Sequence, residues 1–333
     1  MAALYVTSGQ RGAGKTAICA GLAKHFIGRG KKIGFFKPFI AQGKESSVEV
    51  DGDAAFMKQV FALKESVESI CPTFADDRNL TTRVKEAFAK LSQGRDVVII
   101  EGVFGQGQAE KLVEALSAKV IDVADYSQGT PATGDNYKSF GKHLLGVAVN
   151  KVPRSQYDRV FSELCDVFGK AKVSLLGVLP EDRTLFTLSV AELAAQVNGK
   201  LLNNAEQSGE LVENIMLGAM VVDSGLYYYG RKANKAVVIR SERPDMQLAA
   251  LETSTRCLIL SGTTPPQVAV AQMAESKRIP VISAPAGIAN IAASLEEALA
   301  QTRFRQEKKL PRLVELMEQY FNFKAVAQAL GYG

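Results

Sequence analysis

Gly9-Gln10-Arg11-Gly12-Ala13-Gly14-Lys15-Thr16 is the stretch of this sequence that decides the fold. It satisfies the pattern G-x-x-x-x-G-K-[ST] in full. An apolar run, Leu4–Ser8, precedes it, and an amphipathic segment, Lys15–Arg29, follows with Ile18, Leu22 and Phe26 on one face. Glycines let the backbone curl so that successive N–H groups point at an anion without Cβ clashes. The helix opened by the loop adds unpaired N–H groups and the positive end of its dipole. In such a loop the lysine, here Lys15, reaches the terminal phosphates of a nucleotide, and Thr16 offers its hydroxyl to Mg2+.

Working outward, Ile33–Lys37 reads as a second strand, and Asp53–Phe61 and Arg78–Gln93 read as helices. Val97–Glu101 is a continuous apolar run of the kind buried in a parallel sheet. Strands follow at Val120–Val123, Leu145–Asn150 and Val173–Val178, with a helix at Gln156–Phe168. Strands separated by helices at this spacing predict right-handed βαβ units: an α/β fold with a doubly wound, mostly parallel sheet of the P-loop NTPase type. The polar stretch Asn198–Gly209 reads as the linker or first connection between domains, giving a P-loop domain over 1–204 and a smaller α/β domain over 205–333. In the latter, Ala236–Ile239, Cys257–Leu260 and Val281–Ser283 are strands, each followed by a helical segment. One amphipathic helix closes the chain from Pro311 to Leu330.

Composition sets bounds. With 333 residues, 47% hydrophobic and 23% charged, the chain is a globular protein of two domains. It contains no apolar run near the ~18 residues that cross a membrane, and no signal peptide, so a cytoplasmic protein without a membrane partner is expected. Its net charge of +5 is spread among acids. The one basic cluster, Arg303 to Lys309 with Arg312, reads as a solvated helix face, and no nucleic-acid partner is expected. Cys19, Cys71, Cys165 and Cys257 stand far apart and read as small buried hydrophobes, and His25 and His143 are isolated.

A phosphate-bound Mg2+ takes one or two carboxylates from other segments. Glu101 ends an apolar strand, where it is either a metal ligand or a strand-end acid. Asp53, beside Asp51, opens a helix and is either a metal ligand or an N-cap. Asn150 ends another strand, where it is either a base ligand or a turn residue, and position 153, where a guanine site wants an acid, is Pro153. A neutral amide suits the adenine edge, so ATP is expected over GTP. Arg11 is either a further phosphate ligand or solvated.

The segments VTSGQRGAGKT (6–16), GFFKPFIAQG (34–43), GDAAF (52–56), IIEGVFG (99–105) and GVAVNKVP (146–153) resemble dethiobiotin synthetase and related ligases that activate carboxylates with ATP. That resemblance implies Thr16, Asp53 and Glu101 as Mg2+ ligands, Lys37 beside the phosphates, and Asn150 with the Pro180-Glu181-Asp182 loop at adenine. The whole chain resembles the amino-terminal regulatory part of long phosphotransacetylases, in which such a domain precedes a DRTGG domain. ENIMLGA (213–219), SERPDMQLAALE (241–252) and TRCLILS (255–261) carry the second half of the match. Departures occur in both halves. Glu242, Pro244 and Thr263 replace signature residues around Arg243 and Gly262, the Ala41-Gln42-Gly43 loop is one residue longer, and Phe104 stands for a glycine. A phenyl ring there would fill space that a diamine substrate needs. No acetyl-transferring domain is recognisable, so that activity is not expected.

Two functions follow. One is a Mg-ATP-binding protein with slow ATPase turnover and a regulatory or metabolite-sensing role through the DRTGG-like domain. The other is an ATP-dependent ligase that phosphorylates a carboxylate or carbamate, with Lys15 and Lys37 flanking the transferred group. Expected partners are an adenine nucleotide, a small carboxylate or amino-acid metabolite, and, by resemblance, a second copy in a homodimer. Arg243, Ser261 and Gly262, at strand ends, are candidate ligand residues of the second domain. Gly225 to Gly230, with its three tyrosines, reads as a packing or interface segment.

Overall fold

The computed structural model describes residues 1–41, 51–75, 79–102, 106–131, 135–218 and 225–332. The chain divides into two compact units, one of Met1–Leu185 with Arg303–Gly333, the other of Phe186–Thr302. The division differs from an expected boundary at 204/205 in two ways. The stretch read as a linker lies inside the second unit, and the last segment belongs to the first.

The first unit begins β1 (Ala2–Thr7), α1 (Lys15–Gly28), β2 (Ile33–Phe36), β3 (Phe39–Ala41), α2 (Gly52–Val60), α3 (Val67–Ile70) and β4 (Thr73–Ala75). It continues through α4 (Leu80–Leu91), β5 (Val97–Glu101), α5 (Gln106–Ala115), β6 (Lys119–Asp125), β7 (Leu144–Val152), α6 (Tyr157–Ala171) and β8 (Leu175–Pro180). Six strands form one sheet in the order β2-β5-β1-β6-β7-β8, all parallel. From central β1 the chain winds first toward β2 and β5, then crosses to β6, β7 and β8. The loop after β1 therefore opens where the winding reverses, the place at which doubly wound sheets bind ligands. Tyr5, Val98, Ile99, Ile100 and Ile121 are wholly buried in this sheet, as the unbroken apolar runs predict.

The second unit contains β9 (Leu188–Ser189), α7 (Val190–Gln196), β10 (Lys200–Leu201), β11 (Leu211–Val212), β12 (Asn214–Gly218), α8 (Gly225–Gly230), β13 (Lys235–Arg240) and α9 (Pro244–Leu251). It ends with β14 (Thr255–Ser261), α10 (Val268–Ser276), β15 (Val281–Ala284) and α11 (Ile288–Ala300). Its five-stranded sheet runs β10-β15-β14-β13-β12, parallel except where β10 meets β15. The sequence Ser189-Val190-Ala191-Glu192 forms a capping box at the start of α7: the Ser189 Oγ accepts from the Glu192 N–H at 3.2 Å, and the Glu192 carboxylate accepts from the Ser189 N–H at 2.8 Å. Lys235 is wholly buried with no carboxylate partner among the described residues. Its ammonium donates to Thr253 Oγ1 at 2.8 Å and the Ser254 carbonyl at 3.0 Å, and burial pushes its pKa down to about 8.

After the second unit the chain returns to the first as α12 (Leu310–Tyr320) and α13 (Phe323–Ala329). One closing helix was expected; two form because Phe321 goes extended and bridges Gly177 of edge strand β8. The Asn322 N–H donates to the Leu176 carbonyl at 2.7 Å, and its side chain caps α13 through the Ala325 N–H at 3.0 Å. The returning segment thus covers a sheet edge. Leu310, Leu313, Met317, Phe321, Phe323 and Val326 join the main core of the first unit. Met317 lies against the bare Cα of Gly21.

The cysteines only partly match the expectation of burial: Cys19 and Cys257 are buried, Cys71 is partly exposed and Cys165 is exposed. In the Gly225–Gly230 segment Tyr229 is buried and Tyr227 is exposed. No helix among the described residues is long and apolar enough to cross a membrane.

Candidate functional site at the phosphate loop

The loop from Gly9 to Thr16 leaves β1 and enters α1 at Lys15. Gly12 and Gly14 have φ of 73° and 97°, the left-handed region that favours glycine. At Gly14 a Cβ would also strike the Asn150 amide. Asn150, at the end of β7, donates through Nδ2 to the Ala13 carbonyl at 2.9 Å and accepts from the Lys151 N–H at 2.9 Å. It therefore braces the loop, and its amide keeps one N–H and one lone pair. Gln10, expected to touch nucleotide, also braces: its Oε1 accepts from the Asp125 N–H at 2.9 Å. The buried Asp125 in turn holds Lys151 at 2.6 Å and the Ser127 hydroxyl at 2.6 Å. Arg11 is exposed.

Around the loop the charges concentrate. Lys15 is buried, which lowers its pKa, and nearby Glu101 works in the opposite sense. Glu101 ends β5 and is also buried. The Thr16 hydroxyl donates to its Oε1 at 3.1 Å, and its Oε2 has no hydrogen-bond partner among the described residues. Burial raises the Glu101 pKa against the pull of Lys37. The Lys37 ammonium lies among three acids, at 3.0 Å from Asp51, 2.6 Å from Asp53 and 3.6 Å from Glu101. Burial disfavours its charge, but Glu101, Asp53 and Asp51 together hold its pKa above the usual lysine range. The structure separates the two neighbouring aspartates. Asp51 is the N-cap of α2, accepting from the Asp53 and Ala54 N–H groups, while Asp53 points its carboxylate into the cluster.

Two participants were not found from the sequence. Arg305 donates through Nε to Asp53 Oδ1 at 2.7 Å. Its cluster reads as a solvated helix face in sequence, yet Arg305 pairs with Asp53, Arg312 with Asp182, and Lys309 is wholly buried. No local signal reveals this, because the pairing partners lie 252 and 130 positions away. The other is Asp122 on β6, level with Thr7 of β1. Burial pushes its pKa up to about 7, with Lys15 opposing. In sequence it is a lone acid inside the apolar run Val120–Ala124.

Asp182, expected near adenine, is engaged elsewhere: its carboxylate accepts from Arg154 at 2.7 Å and Arg312 at 2.8 Å, and Pro180 ends β8 beside it. In the second unit Arg243 pairs with Asp245 at 2.8 Å and the Ser261 hydroxyl donates to the Ala286 carbonyl at 2.8 Å. Gly262, φ 116°, packs under the Ser241 hydroxyl. Gln42, Gly43, Phe104 and Ala219 lie outside the described residues.

Several known proteins are similar to this chain. The ATP-dependent dethiobiotin synthetase BioD of Caldicellulosiruptor saccharolyticus is 26% identical over 215 residues, 55% of this chain and 88% of that protein. The phosphate acetyltransferase of Nitratidesulfovibrio vulgaris is 22% identical over 367 aligned positions, 98% of this chain and 51% of that protein. The chain thus spans about half the length of that acetyltransferase, and 43% of the one from Synechocystis. Among solved structures, the septum site-determining protein MinD of Pyrococcus horikoshii, complexed with Mg-ADP, is 21% identical with a TM-score of 0.36, covering 55% of this chain and 83% of its own. A likeness that distant carries no functional weight. A family profile described as an AAA domain, AAA_26, matches residues 2–187, and one described as a DRTGG domain matches 192–298. The chain belongs to the AAA_26 family, its nucleotide-binding P-loop domain joined to a DRTGG domain.

Proposed function

We propose that the first unit binds Mg-ATP at the Gly9–Thr16 loop and turns it over slowly, in the service of a regulatory or metabolite-sensing role of the DRTGG unit. The observation that carries this reading is the buried Glu101 carboxylate, bonded to the Thr16 hydroxyl through one oxygen and, among the described residues, without a hydrogen-bond partner at the other. A hydroxyl and a hard carboxylate are the donors Mg2+ takes when phosphates and waters complete its shell. No group of three or more His, Cys, Asp or Glu among the described residues forms an all-protein metal cage, and a phosphate-held ion needs none. Thr16, Glu101 and Asp53 would hold the ion, which supplies charge neutralisation at the phosphates. Lys15 and Lys37 would flank the phosphoryl group, and loop N–H groups between Gly9 and Gly14 would donate to phosphate oxygens. Asn150 offers its remaining N–H and lone pair to adenine. Asp182, through Arg154 and Arg312, shapes the loop after Pro180 rather than bonding the base. Arg243, Ser261 and Gly262 would contribute to a ligand site in the second unit after exchanging their present partners. Pairing of two chains as a homodimer is part of the same reading, and sedimentation reads it directly.

The alignment with a dethiobiotin synthetase over 88% of that protein's length favours a second reading, an ATP-dependent ligase for a carboxylate or carbamate. Mg-dependent ATP hydrolysis, measured alone and with pooled amino and carboxylic acids, separates them. Slow, unstimulated turnover is the expected result. Strong stimulation by one acid would establish the ligase in its place.

Asp122 gives the site a pH signature. With a pKa raised by burial to about 7, its carboxyl is neutral below that pH and adds a negative charge near Lys15 above it. ATP affinity is expected to fall roughly threefold to tenfold as pH rises through this range. In Asp122→Asn that fall disappears, and the difference between the two proteins removes the nucleotide's own titration. Parallel pH profiles for wild type and variant would refute the assignment.

A further inference from the structure

Both oxygens of Asp53 are already taken. Lys37 holds Oδ2 at 2.6 Å, and Arg305 holds Oδ1 at 2.7 Å. Arg305 arrives on the segment that re-enters the first unit, three positions after Thr302, the last residue of the second. Phe304 fixes that segment edge-on against Phe56 of α2, with ring centroids 5.6 Å apart. The guanidinium lies directly over Gly52, where a Cβ would come within 2.6 Å of its Cζ. A side chain at position 52 would have to push the guanidinium aside. The contact is thus built from three sides: a ring anchor, a bare Cα and a charged pair.

We propose that Arg305 is a positioning residue for Asp53, a resident cation that holds the carboxylate until a divalent cation arriving with nucleotide competes for it. The inference rests on the reading of Asp53 as a metal ligand. A carboxylate with both oxygens in ion pairs must give one up to coordinate a metal, and Lys37 also answers Asp51 and Glu101. Among the described residues Asp53 is the one acid that Arg305 pairs with, so Arg305 is the cation that leaves. Metal binding and Arg305 docking are then mutually exclusive at one oxygen, and linkage makes the effect reciprocal: nucleotide with metal loosens residues 303–309, and docking of that segment weakens the metal. State of the nucleotide site would in this way be written onto the stretch of chain through which the second unit rejoins the first.

The test uses the full chain, a fluorescent ATP analogue and a Mg2+ titration, with amide exchange of 303–309 as a second readout. In Arg305→Gln the Mg2+ midpoint for nucleotide binding is expected to drop at least about threefold. Gly52→Ala, which displaces the guanidinium without removing its charge, should shift it the same way. In wild type, exchange at 303–309 should speed up when Mg2+ and nucleotide are added together; in Arg305→Gln it should be fast throughout. A midpoint that is unchanged or raised in Arg305→Gln, with wild-type exchange indifferent to nucleotide, overturns the proposal while leaving the pocket's assignment standing. Wild type that binds no Mg-nucleotide at all overturns both.

Discussion

Lys15→Ala is expected to weaken ATP binding by about 100-fold or more and to abolish turnover. The size follows from where the charge sits. Lys15 is buried at the mouth of α1, and burial lowers its pKa, so its ammonium is largely shielded from water and a triphosphate is a strong anionic partner for it. A preorganised cation in such a place is worth several kcal/mol to a phosphoryl group, of the order seen when single transition-state donors are deleted. Loss of the charge also leaves Lys37 as the remaining cation acting on Glu101 among the described residues, and Lys37 already serves Asp51 and Asp53. Lys24→Ala, at an exposed position on the same helix, is the control and should bind as wild type does. Equal affinities of the Lys15 and Lys24 variants would mean that the loop does not grip phosphate.

A fragment of residues 1–204 is expected not to fold. It carries the entire P-loop sequence pattern and all six strands of the sheet, yet lacks the returning helices. Leu310, Leu313, Met317, Phe321, Phe323 and Val326 are each 9% exposed or less and sit in the main core. At about 1.5–3 kcal/mol per buried side chain, their removal costs roughly 9–18 kcal/mol. Typical domains have only about 5–15 kcal/mol in total. The fragment also leaves edge strand β8 without its bridge to Phe321, and Asp182 without Arg312. Circular dichroism and a denaturant titration should find no cooperative transition for the fragment alone and recover one when residues 303–333 are co-expressed with it. A cooperative unfolding transition of 1–204 by itself would show that the segment is an accessory.

These two predictions mark what the sequence makes legible. Local pattern identifies what is local. The octapeptide 9–16, the unbroken apolar run Val97–Ile100 and the alternation of strands and helices place the loop, α1, β5 and the parallel sheet within a residue or two. Glu101 and Thr16 emerge together because strand end and loop are both readable, and their 3.1 Å hydrogen bond follows from β5 lying beside β1. Chain return leaves no such trace. Arg305 and Arg312 look like any basic residues ahead of an amphipathic helix, and only the folded chain brings them to Asp53 and Asp182. The polar stretch from Asn198 misleads for a related reason. Its asparagines are not linker residues: Asn203 and Asn204 bond the carbonyls of Ala274 and Ile279 within the second unit. Asp51 and Asp53 illustrate the middle case. Sequence narrows the choice to cap or ligand, and two positions of spacing give each aspartate a different task.

The most direct test is a calorimetric titration of the wild-type chain with ATP, in millimolar Mg2+ and again with the metal chelated. Saturable binding at one site per chain, markedly tighter with Mg2+ and lost in Lys15→Ala, is the predicted result. Absence of any heat or affinity for adenine nucleotides in the presence of Mg2+ would contradict the assignment of the pocket.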